Sequence, residues 1–118
     1  MTDKLSLTDL LRSTRELHAR FGVPFTIGIA ERLCAEEFRE LIHESAIGDY
    51  QIEFGDSCRE SIVEEAVDLF VVVLGLLQAH GVSDDRLADA IAAVIAKNDA
   101  KTDATHALVN GKITRKAG

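Results

Sequence analysis

Apolar residues recur at helical spacing along most of this chain, in four stretches separated by short polar breaks. Leu7, Leu10, Leu11, Thr14, Leu17, His18 and Phe21 predict a first helix over about 7–20. Ser6, followed by Asp9, caps it, and Gly22 with Pro24 ends it. Phe25 to Ile29 reads as a short apolar connection that packs against its neighbours. Ala30, Leu33, Cys34, Phe38, Leu41 and Ile42 predict a second helix from about Ile29 to Ala46, stopped by Gly48. Residues 49–55 then form a linker that carries the only tyrosine, Tyr50. Asp56 or Ser57 caps a third helix that runs to about His80 and ends at Gly81. From Leu69 to Leu77 this helix is apolar on every side, which predicts the most buried helix of the domain. Ser83, with Asp84 and Asp85, caps a fourth helix that continues to about Lys101. Its stripe is Leu87, Ala90, Ile91, Val94, Ile95 and Asn98. Residues 102–118 lose the period and read as a polar, flexible tail with a turn at Asn110-Gly111. The expected fold is an all-α four-helix bundle in a single domain, 1–118. The β-branched run Val71-Val72-Val73 could form a strand, but no partner strand is evident elsewhere.

Two acidic pairs interrupt this pattern. Glu37 falls in the middle of the second helix's apolar stripe, with Glu40 one turn further on. Glu65 and Asp68 lie one turn apart at the mouth of the apolar third helix. An ionised carboxylate is expensive to bury unless a cation or hydrogen-bond donors compensate it. If the two helices pack side by side, four oxygen donors converge, and hard divalent cations such as Mg2+ or Mn2+ prefer such ligands. Mg2+ is commonly shared with substrate phosphates, so an all-carboxylate set points to phosphate ester or anhydride chemistry. Glutamate pairs on helices are also common as solvated faces, and both readings stay open on spacing alone. Taken singly, Glu36, Glu44, Glu53, Glu60 and Glu64 fit the solvated reading. Glu40-Leu41-Ile42-His43 has the Glu-x-x-His form of di-iron bundles, but no second copy exists, so His43 reads as a surface or supporting histidine.

Composition narrows the field. With 118 residues, 47% of them hydrophobic and 28% charged, the chain suits one globular domain. A net charge of −7 argues against a nucleic-acid polymer as partner, though a metal ion could still bring in a small anionic substrate. Cys34 and Cys58 are too few for a disulfide framework and read as reduced. The N-terminus shows no signal-peptide core, and the Leu69–Leu77 run is short of the roughly 20 apolar residues that span a bilayer. The expectation is a cytoplasmic protein without membrane association.

Glu36-Glu37-Phe38-Arg39-Glu40 and, after a linker, Glu65-Ala66-Val67-Asp68 resemble the E-E-x-x-E … E-x-x-D signature of the all-α nucleoside triphosphate pyrophosphohydrolases. That superfamily includes MazG-like proteins, dimeric dUTPases, dCTP pyrophosphatases and phosphoribosyl-ATP pyrophosphohydrolase. Arg32-Leu33, the Asp68-Leu69-Phe70-Val71-Val72 … Gly75 … His80-Gly81-Val82 stretch and Asn98-Asp99-Ala100-Lys101 are similar to further elements of the family. Phe21-Gly22-Val23-Pro24 and Asn110-Gly111-Lys112 look like parts of MazG-like relatives, so the resemblance covers nearly the whole chain.

The resemblance implies Mg2+-dependent hydrolysis of a (deoxy)nucleoside triphosphate to monophosphate and pyrophosphate, with Mn2+ as a substitute metal. Glu37, Glu40, Glu65 and Asp68 would hold metal, Glu36 would orient or deprotonate a water, and Asn98 and Lys101 would contact substrate. It also implies a homodimer or homotetramer. The chain departs from many relatives in its short C-terminal segment and its lack of tryptophan, which would leave base recognition to Phe25, Tyr50, Phe54 or a neighbouring subunit. Two alternatives remain: a pyrophosphohydrolase for phosphoribosyl-ATP or another nucleotide anhydride, and a non-catalytic helical assembly module.

Overall fold

A computed structural model describes residues 5–22, 26–50 and 57–117. The element order is α1 (Leu7–Phe21), α2 (Ile27–Tyr50), α3 (Ser57–Ala79), α4 (Asp84–Asp99), β1 (His106–Val109) and β2 (Lys112–Arg115). The chain is therefore mostly helical, with four helices among the described residues. It divides into two compact units, Met1–Ser83 and Asp84–Gly118. Pro24, Phe25, Glu53, Phe54 and Asp56, which figure in the sequence expectations, lie outside the described residues.

Local chemistry sets the helix ends of the first unit. Ser6 and Asp9 form a reciprocal capping box: the Ser6 hydroxyl accepts from the Asp9 amide at 3.3 Å, and the Asp9 carboxylate accepts from the Ser6 amide at 2.8 Å. The hydrogen bond from the Ser6 amide first, and then one from the Ser6 hydroxyl to the same carboxylate at 2.9 Å, hold the Asp9 carboxyl below its ordinary value. Gly22 closes α1 in the left-handed conformation at φ 59°, which residues with a Cβ rarely adopt. Gly81, at φ 77°, ends α3 in the same way, with the Val82 amide donating back to the Leu77 carbonyl at 3.0 Å.

α2 differs from expectation at both ends. It begins at Ile27 because Thr26 caps it, accepting from the Ile29 amide at 3.2 Å. It also runs through Gly48 to Tyr50, so Gly48 does not stop the helix. A glycine inside a helix costs only about 1 kcal/mol relative to alanine, and it ends a helix only where the backbone turns left-handed.

α2 and α3 pack along most of their length, and α1 packs on α3. The inward stripe of α2 is Ala30, Leu33, Cys34, Glu37, Leu41, Glu44 and Ile47, at the 3–4 residue spacing that keeps one face against a neighbour. The Cys34 thiol donates to the Val72 carbonyl at 3.4 Å, which fixes an antiparallel register and brings Glu37 opposite Glu65 and Asp68. Cys34 is a free thiol, with its pKa raised by burial first and by the nearby Glu31 second. On the other side of α3, the Gln78 amide donates to the Leu11 carbonyl at 3.4 Å, and the Thr14 hydroxyl satisfies the Leu10 carbonyl at 2.8 Å.

The core is thin. Leu11, Ala30 and Leu74 are the buried hydrophobic residues among those described. Sequence pattern pointed to the Leu69–Leu77 run of α3 as the most buried stretch. Leu74 and Gly75 are buried, but Phe70 is 51% and Val73 40% exposed, because α1 and α2 cover only part of the helix's circumference.

In the second unit the expectation of a polar, flexible tail is corrected. Residues 106–115 form an antiparallel hairpin with His106 opposite Arg115 and Val109 opposite Lys112. Asn110 and Gly111, at φ 50° and 78°, supply the two left-handed residues that a tight two-residue turn requires. A Thr102–Thr105 turn launches the hairpin, with the His106 amide donating to the Thr102 carbonyl at 2.8 Å. The Lys116 ammonium donates to the Asp103 carbonyl at 2.6 Å and ties the hairpin's far end back to that turn. Among the described residues, no helix is long and apolar enough to cross a membrane.

Candidate metal centre

Because α2 and α3 run antiparallel, the two acidic pairs meet. One carboxylate oxygen from each of Glu37, Glu65 and Asp68 lies within 4.8 Å of the other two. Glu37 and Glu65 are partly buried between the helices, while Asp68 is exposed at the rim. Both Glu37 Oε2 and Glu65 Oε2 are buried without a hydrogen-bond partner. Buried polar oxygens are nearly always paired with protein, water or an ion, so these two oxygens are open to a donor or a cation.

The electrostatics agree. The Glu37 carboxyl is raised above its ordinary value of 4.5 by burial first, then by the charges of Glu40, Asp68 and Glu65 and by hydrogen bonding with Glu40. Glu65 is raised by burial, then by Glu40 and Asp68, by hydrogen bonding with Glu40, and last by Glu44. Carboxylates this close repel one another, and the site lowers that repulsion either by taking up protons or by holding a cation.

Of the residues expected at the site, Glu37, Glu65 and Asp68 form this tight trio, and Glu40 stands beside it, close enough to act on both buried glutamates. Glu36 is exposed and turned to another partner, the Arg32 guanidinium, at 4.0 Å. Glu64 is exposed, as expected. Asn98 and Lys101 belong to the second unit, where the Lys101 ammonium donates to the Asn98 amide oxygen at 3.1 Å across one helical turn.

Glu44, read from sequence as a solvated acid, is partly buried and contributes to the shift on Glu65. The signal was available: Glu44 stands seven residues after Glu37, two turns along the same face. An open groove of about 890 Å3 adjoins the cluster, lined by Arg39, Ile42, His43 and Glu44 together with Glu40 and Glu65. Comparison of the chain with protein-family models, curated proteins and solved structures finds no match.

Proposed function

We propose that the protein is a Mg2+-dependent nucleoside triphosphate pyrophosphohydrolase of the MazG-like, all-α four-helix-bundle type, acting on a nucleotide in the cytoplasm. The observation that carries the proposal is the cluster of Glu37, Glu65 and Asp68, with two buried carboxylate oxygens left without a partner. The donor set fits the metal: every candidate ligand is a hard carboxylate oxygen, which suits Mg2+ or Mn2+ and does not select a softer ion.

Glu37, Glu65, Asp68 and Glu40 would hold the metal. Once bound, a divalent cation supplies charge neutralisation for a phosphate chain and lowers the pKa of a water. Glu36, exposed immediately before Glu37 on α2, would leave Arg32 to accept a proton from the attacking water. That water's oxygen forms a bond to phosphorus, the bridging P–O bond breaks, and pyrophosphate departs from the nucleoside monophosphate. Lys101 and Asn98 offer an ammonium and an amide for phosphate or sugar. Their mutual hydrogen bond holds both at one end of α4.

A second copy of the chain, in a homodimer or homotetramer, is part of this reading. Val63, Val67 and Phe70 form an exposed apolar stripe along α3 at 62%, 40% and 51% exposure, and self-association would cover it.

The test is pyrophosphate release from a panel of nucleoside and deoxynucleoside triphosphates with Mg2+. Turnover of at least one substrate, abolished in Glu37→Ala, is expected. No release above that variant across the panel contradicts the proposal.

A further inference from the structure

We infer that Arg39 is the site's phosphate-chain ligand, so that the polyphosphate lies along the second half of α2 in the groove beside the carboxylate cluster. The inference rests on the metal-centre reading above and goes beyond it by assigning a phosphate contact on α2 itself.

Charge favours such a residue. Glu37, Glu40, Glu44, Glu65 and Asp68 crowd one region, and a nucleoside triphosphate brings several further negative charges. A divalent ion offsets only part of that sum, so a fixed cation beside the groove lowers the remaining repulsion. Arg39 lines the groove of about 890 Å3 that also touches Glu40 and Glu65, two members of the acidic region. The groove is large enough for a nucleotide-sized ligand, since small-molecule sites run to about 300–1,000 Å3.

Arg39 is also available. Two exposed arginines of this unit pair with an acid on their own helix, Arg12 with Asp9 and Arg32 with Glu36. Arg39 has Glu36 one turn behind it and Glu40 beside it, yet among the described residues it makes no ion pair or hydrogen bond. Its guanidinium stays charged at any working pH and presents a planar fork that matches two phosphate oxygens. His43, one turn further on, shares the same wall and extends the groove's polar side, while Ile42 offers an apolar surface beside it.

Inorganic tripolyphosphate, which has no base to mismatch, is the probe, with thermal unfolding of the full chain as the readout. Four proteins are compared: wild type, Arg39→Gln, Arg39→Lys and, as a charge control remote from the groove, Arg12→Gln. Mn2+ alone should raise the Tm of all four, because Arg39 is not a metal ligand. Tripolyphosphate added over excess Mn2+ should raise the Tm further in wild type and Arg12→Gln. In Arg39→Gln its half-saturating concentration should increase at least about tenfold, with partial recovery in Arg39→Lys. Equal half-saturation in wild type and Arg39→Gln, or no added rise in wild type, overturns the inference while leaving the metal site standing. Absence of any Mn2+ effect in wild type removes the metal-centre reading, and this inference with it.

Discussion

The α2–α3 interface has two halves built on one spacing and filled with opposite chemistry. In the half around Ala30 and Cys34, small residues let the helices approach until a thiol reaches the Val72 carbonyl, and Ala30 is 0% exposed. One turn further along α2 the same stripe carries Glu37, then Leu41, then Glu44, facing Glu65 on α3. The first half is satisfied as it stands. The second holds two orphaned carboxylate oxygens and two carboxyls raised by burial first and by neighbouring carboxylates second. Apolar packing in one half thus holds fixed a repulsive arrangement in the other, which a loose pair of helices would relieve by separating. On the proposed reading, the fold tolerates this local destabilisation because a bound cation offsets it.

The largest way to break the comparison is through the packed side of α3. Leu74, 4% exposed, should cost about 2–4 kcal/mol when cut to alanine, measured by denaturant unfolding. Because the acidic half depends on the register that packing maintains, metal binding should weaken together with stability.

Neutralising the acidic half should act in the opposite direction. Glu37→Gln keeps the shape and removes a charge the metal-free fold disfavours, so the metal-free Tm at pH 7 should rise. If Glu37 is a metal ligand as proposed, pyrophosphate release from the nucleotide should fall by more than about a hundredfold, since a ligand matters more than the supporting groups whose loss costs 10–100-fold. A lowered metal-free Tm would mean that Glu37 has a partner in the fold.

The pH dependence sharpens the same contrast. Glu37 and Glu65 have folded values raised above the ordinary 4.5, so the folded state holds protons that the unfolded chain releases. Their contribution to stability is full below about pH 4.5 and is lost as the pH climbs through the raised folded values. The metal-free Tm of wild type should therefore decline over that window, and a Glu37→Gln, Glu65→Gln double variant should show a flatter profile. Removing the α1 capping box by Ser6→Ala should have the smallest effect, about 1 kcal/mol in unfolding, with metal binding unchanged.

The helices were legible from sequence because their ends are written in local chemistry: Ser6 with Asp9, Gly22 and Gly81 act within one turn of themselves. The acidic centre was legible for a related reason, since a glutamate interrupting an apolar stripe needs compensation wherever the stripe packs. Glu44 escaped because it was weighed alone rather than two turns after Glu37. The hairpin escaped because its strands are four residues each, too short for a periodic signal, although the Asn110-Gly111 turn that sets its register was visible. Exposure along α3 is beyond local sequence signals, because it depends on how much of the helix α1 and α2 can cover.

Calorimetric titration of the metal-free protein with Mn2+ at pH 7 tests the central claim most directly. A saturable binding isotherm in wild type, weakened at least tenfold in Glu37→Gln and in Asp68→Asn, is the predicted result. Absence of binding in wild type, or equal binding in all three proteins, would contradict the assignment of these carboxylates to a metal centre.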